Sequence, residues 1–253
     1  KPILKKLYFS PVKSLSFSSK KNLKIKKNLG IMNDRIFAFT RLISETEAND
    51  YKKDPSKRNL KFFLTLKNSP FLNKYNFEYK ENELKMLIKK NLIKKIVLND
   101  DNNLKLISEE LIKHETIKNY FPYLIKNINY PFFDTMPQNS ISLINLNSIK
   151  DFEKKIDHKI DHERFRGNIY IKNIKPWTEF SWINKKITIN DCSFVVLKKI
   201  PRCSATNLRL NSDTFDINVP QKLREVYGHI DMGVYLKPLN NGTININDTI
   251  KLS

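Results

Sequence analysis

The sequence predicts a mainly β fold with a few helices, of the α+β class. Three observations lead there. Short runs rich in Ile, Phe, Val and Tyr recur at regular spacing and are separated by Asn, Asp and Lys, as strands joined by turns. A few other segments carry apolar residues at helical spacing instead. No repeat of solenoid length and no apolar run of about 18 residues breaks the pattern.

The elements follow in order. ILKKLYF at 3–9 and RIFAFT at 35–40 read as strands. Residues 43–59 are polar and aperiodic and read as a surface loop. Short strands are expected at 62–66, 76–79, 84–88 and 95–98, in the manner of a barrel or sandwich, with a turn at 99–103. Ser108-Glu109-Glu110 reads as a helix start, with a hydroxyl cap and two acids in the first turn. The Pro- and Asn-containing stretch 122–139 reads as an interdomain region. A second helix is expected over about 142–157, where Leu143, Leu146, Ile149, Phe152 and Ile156 share a face, although Ser148 and Asp151 leave its start ambiguous. Strands return at 168–171, 186–189, 193–198, 232–236 and 249–252. A short helix at 220–227 starts on Pro220 and ends at Gly228. The expected division is an N-terminal domain over 1–100 and a second over 101–253, with the linker somewhere in 99–140.

Of 253 residues, 40% are hydrophobic and 28% charged, which suits a globular protein with a real core. No secretory signal or membrane span is evident, so a soluble, cytoplasmic protein without a membrane partner is expected. The net charge of +20 invites a nucleic-acid reading. Against it, Lys outnumbers Arg by 38 to 8, whereas readers of phosphate and base edges favour the Arg fork. The lysines are also scattered along the chain, as on a solvated surface. Nucleic acid is therefore not the expected partner, and a basic nucleic-acid-binding barrel stands only as the rival class. The scarce arginines attract attention where they cluster, at Arg35, Arg164, Arg166 and Arg202.

Two cysteines, Cys192 and Cys203, cannot build a disulfide framework or a four-thiolate iron–sulfur site. Cys192 reads as an ordinary small thiol. Cys203 follows Arg202 at the end of the apolar run FVVL, and a neighbouring guanidinium favours thiolate, so Cys203 is a candidate nucleophile or metal ligand; the bland alternative is a buried structural thiol. Arg164, Arg166 and Asn168 alternate, so in a strand they would share one face as a row of donors; exposed charges on an edge strand are the plain alternative. Lys13 and Ser14, following a strand and Pro11, could cradle a phosphate. His158, Asp161 and His162 form H-x-x-D-H, which lacks the Glu base of zinc-protease motifs and reads as a polar helix end. Ser10 to Lys13 fits S-x-x-K without the partner motifs of serine acyl enzymes. No G-x-G-x-x-G or Walker A pattern occurs, which leaves flavin and nucleotide loops unsupported. A pyridoxal phosphate site is not expected either. Trp177, Glu179 and Trp182 read as structural, a Trp pair around a carboxylate that closes a loop.

Taken together and in order, YFSPVKSLSF at 8–17, GIMNDRIFAF at 30–39, FLTLKNSPFL at 63–72, SLINLNSI at 142–149, RFRGNIYI at 164–171, PWTEFSW at 176–182, IPRCSATNL at 200–208 and residues 228–252 resemble the MOSC superfamily, the molybdenum-cofactor sulfurase C-terminal domain, preceded by its N-terminal β-barrel domain, in the manner of amidoxime-reducing components. The resemblance implies a MOSC β-barrel beside an N-terminal barrel-like domain, with a molybdopterin cofactor between them. It implies that Cys203 is the catalytic residue and ligates molybdenum. Lys13, Ser14, Arg35, Arg166 and Asn168 would hold the pterin and its phosphate, with Arg202 nearby. The implied activity is an oxidoreductase that reduces N-hydroxylated small molecules with electrons from a separate donor, a ferredoxin or a flavin reductase. A cofactor carrier or sulfur-transfer module is the alternative within the family. Three departures stand out: Gly167 where the pattern has Pro, Lys67 where T-A-R has Arg, and an altered loop at 210–214 in place of D-P-x-T-G.

Overall fold

The computed structural model describes residues 1–15, 17–133 and 140–252. The chain opens with β1 (Ile3–Phe9), β2 (Ser18–Lys20), β3 (Asn22–Lys26), β4 (Gly30–Ile31) and β5 (Phe37–Phe39). Helix α1 (Glu45–Lys53) precedes the antiparallel meander β6 (Tyr75–Lys80), β7 (Glu83–Ile88) and β8 (Asn91–Val97), then α2 (Leu104–His114) and β9 (Leu124–Lys126). The rest comprises β10 (Ile141–Asn145), α3 (Leu146–Ile156), β11 (Ile169–Lys172), β12 (Lys186–Ile189), β13 (Cys192–Pro201), α4 (Val219–Tyr227), β14 (Asp231–Pro238), β15 (Gly242–Asn245) and β16 (Ile250–Leu252). The mainly β, α+β expectation holds.

Eight strands form one sheet in the order β16-β12-β13-β14-β10-β11-β1-β2, with β10 and β11 parallel and the other pairs antiparallel. The turn before β16 returns to β1, the next-to-last strand of the sheet. Leu4 N–H donates to Asp248 O (2.9 Å), and Asn247 N–H donates to Leu4 O (2.8 Å), without a closing ladder. Alternation along the strands explains the core: Leu4, Leu7, Leu143, Ile169, Ile171, Ile187, Phe194, Val196, Val234 and Leu236 point inward and are fully buried. Helices α3 and α4 cover another cluster around Phe152, Phe165, Tyr170, Leu223 and Met232. The meander, α2 and β5 share a further core around Phe37, Phe39, Tyr75, Phe77 and Met86. The chain's first strands sit with those of its C-terminal half: β1 lies between β11 and β2, and β3 pairs with β15.

Several sequence expectations are corrected. The 43–59 segment is not a plain loop but contains α1. Ser44 accepts from Glu47 N–H while the Glu47 carboxylate accepts from Ser44 N–H, a capping box that starts a helix with little apolar surface. Only Ala48 and Tyr51 of α1 are buried, which is why periodicity missed it. Residues 62–66 form no named strand; Leu60–Phe62 is a 3₁₀ turn whose amide is capped by Asn59, and only a single bridge, Thr40 to Phe63, remains. Helix α2 begins at Leu104, four residues before the expected cap. Ser108 lies buried inside it, and its hydroxyl accepts Leu124 N–H (3.0 Å) to fasten β9. The second helix begins only at Leu146, capped by Asn145, because residues 141–145 are buried on both faces as strand β10. The 122–139 stretch holds β9, paired to β5; residues 134–139 lie outside the described residues.

Gly233 shows how tightly β14 meets β10. Its φ is +80°, and a Cβ there would stand 2.5 Å from Leu143 O and 2.7 Å from Ile144 Cγ1. We predict that Gly233→Ala lowers stability by about 3 kcal/mol, combining left-handed backbone strain and overpacking; a urea midpoint equal to wild type would refute the close approach.

Candidate functional site

Four segments converge on one cavity of about 740 Å³: the turn after β1, the turn before β5, the loop entering β11 and the exit from β13. The first two are fixed by backbone bonds. Arg35 N–H donates to Ser10 O (2.7 Å), Phe37 N–H to Pro11 O (2.9 Å) and Lys13 N–H to Phe37 O (2.8 Å). Ser14, Arg35 and Arg166 all hold left-handed backbone, with φ of 62°, 55° and 52°. For residues with a Cβ this costs about 1 kcal/mol each and persists where the surroundings impose it.

Asp34 is the buried carboxylate at the centre. It accepts Ser10 N–H (3.1 Å), the Arg35 guanidinium, and Asn168 Nδ2 (3.4 Å). Burial pushes its pKa up, against the opposing effect of Arg35 and of these hydrogen bonds. The Arg35 side chain packs over Phe17 and Phe133, with guanidinium-to-ring distances of 4.9 and 5.2 Å. Arg166 lies 4.9 Å over the same Phe17 ring and donates to Leu15 O. Burial, then Arg35, push the Arg166 pKa down to about 9. Lys13 is buried behind this wall, its Nζ 3.5 Å from Phe132 O. Burial first, then Arg35, Arg166 and Arg58, hold its ammonium well below the ordinary lysine range. Among the described residues, Arg35 and Arg166 both act on the Asp34 carboxylate.

Cys203 is exposed on the cavity wall, just before a 3₁₀ turn at Ser204–Asn207. Its carbonyl accepts Thr206 N–H (3.0 Å) and Thr206 Oγ1–H (2.8 Å), which fixes the backbone beneath the sulfur. The buried-thiol alternative therefore fails for Cys203. It describes Cys192, which is buried in the sheet core with its pKa pushed up to about 12, chiefly by burial. Both cysteines are free thiols.

Two expected residues serve the framework more than the cavity. Arg202 is buried and directs Nε to Met232 O (2.9 Å), Nη1 to Phe165 O (2.8 Å) and Nη2 to Met232 O. Asn168 is likewise spent: its Oδ1 accepts from Ser142 N–H (3.1 Å) and Oγ–H (2.9 Å), and its Nδ2 reaches Tyr8 O (3.2 Å). Each still lines the cavity.

The alternating-strand argument for 164, 166 and 168 is corrected. Residues 162–165 form a 3₁₀ turn and β11 starts only at Ile169. Arg164 turns to Asp216 instead, in a two-pronged ion pair with Nη1–Oδ1 2.6 Å and Nη2–Oδ2 2.5 Å. That pair fastens the loop after Cys203 to the turn before β11. Gly167 has a definite role here: its N–H donates to Tyr170 Oη (2.9 Å), and a proline could not supply that proton. Tyr170 in turn donates to His162 O (2.7 Å), so one hydroxyl clamps both ends of the segment carrying Arg164 and Arg166. Sequence reasoning missed Asp34, Ser142, Phe17 and Phe133 as site-builders; the Asp34-Arg35 dipeptide is the one visible signal among them.

Among the described residues no group of three His, Cys, Asp or Glu side chains is placed to hold a metal ion, His158, Asp161 and His162 included. Glu179, fully buried, accepts from Ser148 Oγ–H (2.8 Å) and Asn145 Nδ2 (3.2 Å) and fastens the start of α3, the structural role expected of its segment. His162 instead packs behind the arginine turn. Its Nε2 lies 3.1 Å from Tyr8 Oη and 3.2 Å from Lys6 Nζ. Burial, then Lys6, push its pKa from 6.5 down to about 4. The unfolded imidazole binds a proton at higher pH than the folded one, so stability falls as pH drops across that window and levels out below it. We predict that the wild-type advantage over His162→Gln in urea midpoint shrinks steadily between pH 7 and pH 4; a constant difference would contradict the depressed imidazole.

Comparison with known proteins adds the following. Residues 133–251 match the MOSC domain family model. Among solved structures, the chain is similar to the YUAD protein from Bacillus subtilis, at 10% identity and TM-score 0.45, over 98% of this chain and 93% of that one. It is also similar to YiiM from Geobacillus stearothermophilus, at 15% identity and TM-score 0.34, over 45% of this chain and 53% of that one. No curated protein sequence matches the chain.

Proposed function

We propose that the chain, whose residues 133–251 match the MOSC domain family model, a family linked to the molybdenum cofactor, is a molybdenum-cofactor-dependent reductase of N-hydroxylated or related N-oxygenated small molecules, supplied with electrons by a separate donor protein. One observation carries the reading: the Cys203 thiol stands exposed on a cavity whose walls also present Ser14, Arg35 and Arg166. The donor set fits that cofactor. A thiolate suits a soft metal, and guanidinium and hydroxyl donors on strained, preorganised turns suit a phosphate.

When bound, the cofactor would supply the two-electron redox chemistry. The chain's own residues bind and orient. Cys203 would hold the metal from one wall. Arg35, Arg166 and Ser14 would take the phosphate and pterin, with Lys13 buried behind them. Asn168 keeps Asp34 and the β1 end in place, and Arg202 fixes the β13 exit from which Cys203 projects. Phe133, Phe165, Ile200 and Ile230 give the cavity apolar wall that sheds water around the reacting group.

Cys203 and the core-buried Cys192 make no iron–sulfur relay between them, and in this reading the donor is a ferredoxin or a flavin reductase. The net charge of +20 favours an acidic donor. No helix among the described residues is long and apolar enough to cross a membrane.

In protein expressed in a cofactor-competent host, Cys203→Ala is expected to abolish benzamidoxime reduction and to cut molybdenum per chain by about tenfold or more. Equal activity in the variant would refute the ligand assignment, and wild type that retains pterin without reducing the compound would favour the carrier or sulfur-transfer reading. With an acidic donor protein, turnover should fall by about tenfold between low and high salt; a rate independent of salt would rule out steering.

A further inference from the structure

We propose that the outer lip of the cavity, formed by Lys61 and Lys67, selects a substrate that carries an anionic group, a carboxylate, at the end away from its N–O bond. This rests on the reductase reading above.

Among the described residues lining the cavity, six are cationic and none is a carboxylate: Arg35, Lys61, Lys67, Arg164, Arg166 and Arg202. Four of the six already make side-chain hydrogen bonds within the framework. Arg164 is paired to Asp216, Arg202 to the carbonyls of Met232 and Phe165, Arg35 to Asp34, and Arg166 to Leu15 O. The two lysines differ. Both are exposed, and neither is salt-bridged to a carboxylate of the described residues; Lys61 Nζ rests 4.6 Å over the Phe62 ring.

The turns that carry them are rigid. Asn59 Oδ1 accepts Lys61 N–H (3.1 Å). Around Lys67, Asn68 Oδ1 accepts Thr65 N–H (2.8 Å) while Asn68 Nδ2 donates to Phe63 O (3.0 Å). Two uncommitted ammonium groups on preorganised turns, on the same cavity as Cys203, form a counter-charge for a bound anion. The cavity's volume of about 740 Å³ leaves room for more than one guest. A lysine at position 67 presents a compact, mobile point charge in place of an arginine fork, which suits anions of varied size rather than one planar partner.

The test compares benzamidoxime with 4-carboxybenzamidoxime by calorimetric binding to the cofactor-loaded protein. The carboxylate compound is expected to bind about tenfold more tightly at low salt, with the advantage shrinking as salt rises. In the double variant Lys61→Met/Lys67→Met the ratio should fall to about one, while Lys89→Met/Lys90→Met, on the exposed β7–β8 turn, should keep it. Equal affinities in wild type, no saturable binding of the carboxylate compound, an advantage that survives the lip variant, or loss of pterin from the lip variant would each overturn the proposal, the last by assigning the lip to the cofactor. Turnover is read separately. Reduction of benzamidoxime without a carboxylate preference removes the lip proposal and leaves the reductase; preference without turnover does the reverse.

Discussion

The buried Asp34 carboxylate organises the site. It draws the Arg35 guanidinium, the Ser10 amide and the Asn168 side chain to one point, and through Asn168 it reaches Ser142 on β10 and Tyr8 on β1. Removing that carboxylate would leave Arg35, Arg166 and Lys13 facing one another in a poorly solvated wall. Even with Asp34 present, the shift of Lys13 away from its charged form records their mutual repulsion as well as burial. Among the described residues, the Arg35 and Arg166 guanidinium groups and the Lys13 ammonium thus lie close enough to disfavour one another's charge. A bound phosphate would relieve that repulsion, so cofactor affinity and local stability are coupled in the proposed function.

The fold was legible in the sequence where one physical signal acted alone. Strand β12 and the first half of β13 alternate between buried and less buried residues because one face packs on the sheet's core. Helix α4 announces itself with Pro220 in its first turn and Gly228 at its end, the latter left-handed as a C-cap requires. Legibility failed where signals competed. Strand β10 runs directly into α3, so its apolar residues merge with the helical stripe and pull the apparent helix start forward. Helix α1 buries two side chains, and only its Ser44–Glu47 reciprocal cap betrays it. FFLTL at 62–66 has the composition of a strand, yet Asn59 and Asn68 fold the backbone on either side into turns.

The site divides in the same way. The thiol, the basic turns and the order of motifs are local in sequence, and the cavity gathers them. What each arginine does is not local. Arg164 and Arg166 are two residues apart, yet one faces Asp216, fifty residues downstream, and the other faces Leu15, far upstream. The period-two argument assumed a strand. The Tyr170 clamp makes a turn there instead, and neither its acceptor role for Gly167 nor its donation to His162 O has a sequence signature.

The unequal use of Lys and Arg follows from the same physics. A guanidinium keeps its charge under desolvation and offers several donors in a fixed plane, so it can be buried if enough acceptors converge. Arg202, with three donors on two carbonyls, meets that condition, and Arg164 meets it at both terminal nitrogens through the Asp216 carboxylate, while its Nε is left without a partner among the described residues. An ammonium loses more on burial, and the deeply placed Lys13 shows that cost directly. The chain therefore spends its few arginines on joints between segments and leaves most lysines in water, where they set the field without fixing geometry. By this division a high positive charge and a specific, small cationic cavity coexist, and the total charge by itself says little about what the cavity takes.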